Sequence, residues 1–143
     1  LLREPNLVDY DAARRPFTWD QARAQLDGLP GGGLNIAHEA VFRHLAGPRA
    51  DQVAIRFLAQ GQSDVERTYR ELALDARRFA SVLGRLGVAR GELVASLLGR
   101  IPALYCTVLG SLAAGVVFCP LFSAFGPEPA RQDPGRCDSL RGH

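Results

Sequence analysis

Residues 87–125 run GVARGELVASLLGRIPALYCTVLGSLAAGVVFCPLFSAF, and the punctuation of that stretch leaves few ways to fold it. Residues 92–98 form a short apolar run behind an Arg-Gly turn, suited to a buried strand. Pro102 fits a helix start, where its missing N–H has no intrahelical partner to lose. Leu104, Val108, Leu109 and Leu112 then recur at helical spacing, and Gly115 stands where a left-handed residue would end the helix. Residues 116–121 are β-branched, aromatic and apolar, with Pro120 marking their end. Two buried strands joined by a helix make a right-handed βαβ unit, the repeating element of a parallel sheet. The expected class is therefore α/β: an incomplete doubly wound subdomain built on parallel βαβ.

Other elements surround that unit. Thr68 followed by Glu71 is a capping box, and Leu72, Ala76, Phe79, Ala80, Leu83 and Leu86 follow at helical spacing. Arg70, Arg77, Arg78 and Arg85 fall on the solvated side of this helix, and Gly87 closes it. Residues 53–58 and 65–68, separated by Gly61-Gln62-Ser63-Asp64, read as a hairpin or a strand-turn-strand. Asn35 is a good N-cap for a helix through Leu45, with Ala37, Val41 and Leu45 on one face. Residues 18–26 form a short helix with Trp19 and Leu26 on its buried side. Residues 1–16 are expected to be extended, and residues 27–33 to be a loop. The chain divides into an N-terminal segment, 1–33, a folded part, 34–130, and a polar tail, 131–143, expected to be disordered and non-native.

Composition removes several functions. A hydrophobic share of 47% against 22% charged is globular rather than disordered. A net charge of +2 without a basic run gives no nucleic-acid footprint. All 17 basic residues are arginine. A chain without lysine has no Walker-type phosphate lysine and no Schiff-base lysine. Cys106, Cys119 and Cys137 lack zinc or CxxC spacing and read as buried thiols of a reducing compartment. The first ten residues carry Arg3, Glu4, Pro5 and Asp9 instead of a signal-peptide core, so a cytoplasmic location is expected. Methionine is absent and residue 1 is leucine, which points to an unusual start or a missing N-terminus.

Three local motifs have plain readings. His38-Glu39 lacks a second histidine four residues on, where Phe42 stands, so the histidines are ordinary surface groups and no metal is expected. Gly31-Gly32-Gly33 has neither a preceding strand nor the third glycine of a dinucleotide loop, and serves as a flexible connector. Ser111 has Leu109 where a nucleophile elbow needs glycine. Residues 101–127 carry no charge, which is long enough to raise a membrane span. Pro102, Gly110, Gly115 and Pro120 instead divide the run where a βαβ unit turns, and no membrane partner is expected.

With Thr68-Tyr69-Arg70-Glu71-Leu72, Leu86-Gly87-Val88-Ala89-Arg90-Gly91-Glu92-Leu93-Val94, Arg100-Ile101-Pro102 and Ala114-Gly115-Val116-Val117, the chain resembles the N-terminal region of AMP-forming acyl-CoA synthetases, in the adenylate-forming superfamily. The run Leu34-Asn35-Ile36-Ala37-His38-Glu39-Ala40-Val41-Phe42-Arg43-His44-Leu45 favours the acetate-activating branch. So does Pro120-Leu121-Phe122-Ser123-Ala124-Phe125-Gly126. The likeness spans residues 15–130.

This resemblance implies an enzyme that joins acetate or a short-chain carboxylate to AMP from ATP, with Mg2+, and then passes the acyl group to CoA. It also implies that Phe122, Ser123, Ala124 and Phe125 form one wall of the CoA channel, against the alternative that both phenylalanines are core. The family's phosphate loop, adenine pocket and catalytic lysine lie downstream of the matched region. The chain reaches His143 before any of them, so by itself it is expected to be non-catalytic and to hold no cofactor. An unpaired sheet edge further predicts self-association. Two other readings stand beside this one: a non-catalytic interaction module and a small membrane-associated protein.

Overall fold

The computed structural model describes residues 7–58 and 63–121. The elements in order are α1 (Tyr10–Arg14), α2 (Trp19–Ala24), α3 (Ile36–Ala40), a 3-10 turn (Phe42–Ala46), β1 (Val53–Phe57), β2 (Val65–Thr68), α4 (Tyr69–Arg85), β3 (Leu93–Ser96), α5 (Pro102–Ala114) and β4 (Val117–Pro120). β1 and β2 form an antiparallel pair with an irregularity between Val53 and Ile55. β3 and β4 form a parallel pair, with Leu93 opposite Val117 and Ser96 opposite Pro120. The fold is α/β, and its parallel sheet is built from the βαβ unit.

The capping box at the head of α4 is present. Thr68 Oγ1 accepts from the Glu71 N–H at 3.2 Å, while Glu71 Oε2 accepts from the Thr68 N–H at 2.9 Å. Leu72, Ala73, Ala76 and Leu83 are buried on one side of the helix, and Arg70, Arg77, Arg78 and Arg85 are exposed on the other. Leu86 departs from the expected face. It is the C-cap, outside the last helical turn, and is 73% exposed. Gly87 follows at φ 76°, a left-handed turn that suits glycine.

In α5 the two punctuating residues act as their chemistry requires. Pro102 occupies the first turn, and Gly115 ends the helix at φ 74° and ψ 23°. The largest contact between elements joins α4 to α5. The core proper is Val41, Leu72 and Ala73, with Phe42, Leu45, Ile55, Tyr69, Cys106 and Leu109 packed around it.

Four expectations from the sequence need correction. The helix starting at Asn35 does not run to Leu45: it ends at Ala40, and Val41 takes φ −133° before a 3-10 turn. That break turns Val41 into the core beside Leu72 while Ala37 stays fully buried. Residues 18–26 contain a capped helix as expected, but Trp19 is 81% exposed and Leu26 41%. Residues 10–14 are helical, not extended, because the Asp9 side chain accepts from the Ala12 N–H at 3.0 Å. Both strands of the parallel pair are also shorter than the apolar runs that contain them.

Candidate functional site

The site positioned by the βαβ unit is its carboxyl edge, where open α/β sheets bind ligands. β3 ends at Ser96, and the parallel ladder closes with the Leu121 N–H donating to the Ser96 carbonyl at 2.7 Å. The chain then turns through Gly99, whose carbonyl accepts from the Ile101 N–H at 2.9 Å, and enters α5. Ile101 is the N-cap and offers no side-chain hydrogen bond, so the positive end of the helix stands uncapped at this edge. Ser96 is 7% exposed, and its Oγ is buried without a hydrogen-bond partner.

Phe122, Ser123, Ala124 and Phe125, the residues expected to line a CoA channel, lie outside the described residues. So do Cys137 and the polar tail. Leu121, the last described residue, is bonded to Ser96 at the carboxyl edge. Cys106 packs against the core, and burial pushes its thiol pKa upward. It is not an activated nucleophile, because an activated thiol needs its pKa lowered.

A second polar cluster, which sequence reasoning passed over as surface, sits at the head of α3. Glu39 Oε1 accepts from the Gly28 N–H at 2.7 Å, and Glu39 Oε2 accepts from the Asp27 N–H at 3.0 Å. Arg43 donates to the same Oε2 at 2.7 Å and to the Gln25 carbonyl at 3.1 Å. His38 Nε2 lies 2.8 Å from Asp27 Oδ2. The Asp27 backbone donor, joined by Gly28 and Arg43, holds the Glu39 carboxyl below the ordinary carboxylate range. The His38 hydrogen bond does the same for Asp27. Glu39 and Arg43 stand four apart on adjoining turns, and that spacing was the available signal.

The cluster fixes a loop and does not form a metal site. No group of three or more His, Cys, Asp or Glu among the described residues could hold a metal ion. No helix among them is long and apolar enough to cross a membrane.

Known proteins share this architecture. The acetyl-coenzyme A synthetase of Bacillus subtilis is 34% identical over 121 residues, which are 84% of this chain and 21% of the relative. The crystal structure of the Brucella canis acyl-CoA synthetase superposes with a TM-score of 0.76 at 35% identity, covering 86% of this chain and 22% of that one. The acetoacetyl-CoA synthetase of Streptomyces lividans superposes at 0.63 with 30% identity, covering 71% and 15% respectively. The chain thus spans about a fifth of the length of the first of these relatives, and its α/β arrangement matches the N-terminal portion of the adenylate-forming acyl-CoA synthetase fold. The AMP-binding enzyme profile matches residues 42–132, from the 3-10 turn through the whole βαβ unit, and the chain belongs to that family.

Proposed function

We propose that this chain is the N-terminal part of an ATP-dependent ligase that converts acetate, or another short-chain carboxylate, to an acyl-adenylate and then to acyl-CoA. The observation that carries the reading is the β3–α5–β4 unit within a sequence 34% identical to an acetyl-coenzyme A synthetase. ATP, Mg2+ and CoA are the small molecules of the whole enzyme. In that enzyme Mg2+ would neutralise the polyphosphate during adenylate formation.

This chain's own contribution is positional. The parallel ladder and the Gly115 turn set the height at which the chain leaves β4. The Leu121–Ser96 bond ties the end of β4 to the end of β3. A loop held there is suited to forming a wall past which the pantetheine arm of CoA travels, with Phe122, Ser123, Ala124 and Phe125 as that wall. The work stays in the compartment where ATP and CoA are plentiful, the cytoplasm.

The test is a fusion of this chain through Ala130 to the downstream portion of the Bacillus subtilis relative. Acetate-dependent exchange of pyrophosphate into ATP reports adenylate formation, and release of acetyl-CoA reports the second step. Ser123→Trp should slow the CoA step at least tenfold while leaving exchange within about twofold. Equal loss of both steps would make the loop purely structural. A folded fusion with no acetate-dependent exchange would overturn the reading of this chain as the N-terminal part of such a ligase.

A further inference from the structure

α4 carries its arginines on the side that faces water. Leu72, Ala73, Ala76 and Leu83 are buried, while Arg70, Arg77, Arg78 and Arg85 are exposed. A face of guanidinium groups stays wet in a larger fold as well, because a buried charge needs a partner of opposite sign. Ser81 sits within this face and is exposed. Arg77 and Arg78 precede it by four and three residues, and Arg85 follows it by four. Those are the separations at which helical side chains are neighbours. The remaining neighbour, Gly84, has no side chain, and an added Cβ there would meet nothing within 4 Å. Three guanidiniums thus share the neighbourhood of one hydroxyl, and their existing contacts are weak. Arg77 lies 5.1 Å from the centre of the Phe42 ring, and Arg78 reaches Asp75 at 3.2 Å on the surface. Arg85 has no ion-pair partner among the described residues. Ser81 Oγ donates to the Arg77 carbonyl at 2.9 Å, which uses its proton and leaves its lone pairs.

We infer that Ser81 is a phosphorylation site for an arginine-directed serine kinase, with Arg77, Arg78 and Arg85 as the cradle of the phosphate. In the transfer the Ser81 oxygen forms a bond to the γ-phosphorus of ATP. The bond from that phosphorus to the β–γ bridging oxygen breaks, ADP leaves, and the hydroxyl proton passes to the kinase's catalytic carboxylate. Arginines just before the acceptor supply the charge pattern that such a kinase selects. Gly84 weakens the last turns of α4, the part that opens for the kinase to reach the hydroxyl. The product carries about two negative charges and three acceptor oxygens, which guanidiniums bind through paired N–H donors. Arg77 then leaves the Phe42 ring for the phosphate, so the modification is felt in the 3-10 turn that holds Phe42. The inference makes no use of the acetate reading, so either can fail without the other.

The full chain is incubated with ATP, Mg2+ and a serine kinase selective for arginine three residues before its acceptor. Peptide mass spectrometry then locates the phosphate. Ser139, with Arg136 three residues before it, is a built-in competitor. Phosphate should appear on Ser81 and be lost from that peptide in Ser81→Ala. The fusion through Ala130 to the downstream portion of the Bacillus subtilis relative lacks Ser139 and should be modified at Ser81 too, because the arginine face stays open there. In 31P spectra the phosphoserine should titrate below its ordinary value of about 6. Arg85→Gln, a surface change, should move that titration back toward the ordinary value. Three results overturn the inference: phosphate confined to other serines, a folded fusion that stays unmodified at Ser81, or an ordinary titration that Arg77→Gln, Arg78→Gln and Arg85→Gln all leave unmoved. The last is also what a chain modified only while unfolded would give.

Discussion

A methyl group on Gly110 would stand 2.6 Å from the carbonyl oxygen of Ala76. The two residues lie on α5 and α4, and at this point the helices meet backbone to backbone. Phe79 closes the same site, its Cβ 2.9 Å from the added atom. Neither obstacle is the flexible end of a long side chain, so neither can step aside.

Gly110→Ala should therefore destabilise the chain by about 1–3 kcal/mol, although alanine is the better helix former. Gly84, near the end of α4, has open space around its missing Cβ. Gly84→Ala should stabilise by about 0.5–1 kcal/mol through lower backbone entropy in the unfolded chain. Urea midpoints of the two variants, moving in opposite directions, check the pair.

Leu83 is 4% exposed and Leu86 is 73% exposed, three residues apart at the end of the same helix. Leu83→Ala should cost about 2–5 kcal/mol. Leu86→Ala should stay within about 0.5 kcal/mol of the parent. Equal losses in a denaturant series would mean that the last turn of α4 is packed differently.

Thr68→Ala removes the acceptor for the Glu71 N–H and should cost about 1 kcal/mol. Glu71 also gives a pH signature. Its carboxyl is held below its ordinary value of 4.5, first by the Thr68 backbone N–H and then by the Thr68 hydroxyl. A depressed folded-state pKa contributes stability above the unfolded value, and that contribution is lost as pH falls through the folded one. Stability should decline on acidification from pH 5, and Glu71→Gln should make that decline shallower. Parallel slopes in the two chains would remove Glu71 from the account.

The Glu39 carboxylate accepts two backbone N–H bonds from the loop before α3. Glu39→Ala should make the amides of Asp27 and Gly28 exchange hydrogen with solvent much faster, with little change in the amides of α4. Faster exchange throughout the molecule would mean that the loop supports the core.

The βαβ unit was legible because its decisive residues act locally. Pro102 has one good place in a helix, and Gly115 adopts a left-handed backbone that few other residues tolerate. The Thr68–Glu71 box was legible for the same reason. The break at Val41 was not, because nothing in AHEAVFRHLA opposes a continuous helix. The chain abandons helical geometry there to place Val41 against Leu72, a contact between residues far apart in sequence. Amphipathic spacing alone puts Trp19 and Leu26 on one face of their helix, yet both are exposed. Periodicity identifies a face but does not say whether the covering surface belongs to the same chain. Of the candidate site, the end of β4 at Pro120 was legible, while the end of β3 at Ser96 and the burial of that serine were not, since a serine in an apolar run carries no sign of either.

Because α5 meets the Ala76 carbonyl of α4 at Gly110, with Phe79 beside it, the closest approach of the two helices is limited by backbone atoms. A seam filled with long side chains can breathe as those chains hop between wells. The contact at Gly110 has no such slack, so at that point α5 can slide along α4 but cannot approach it further.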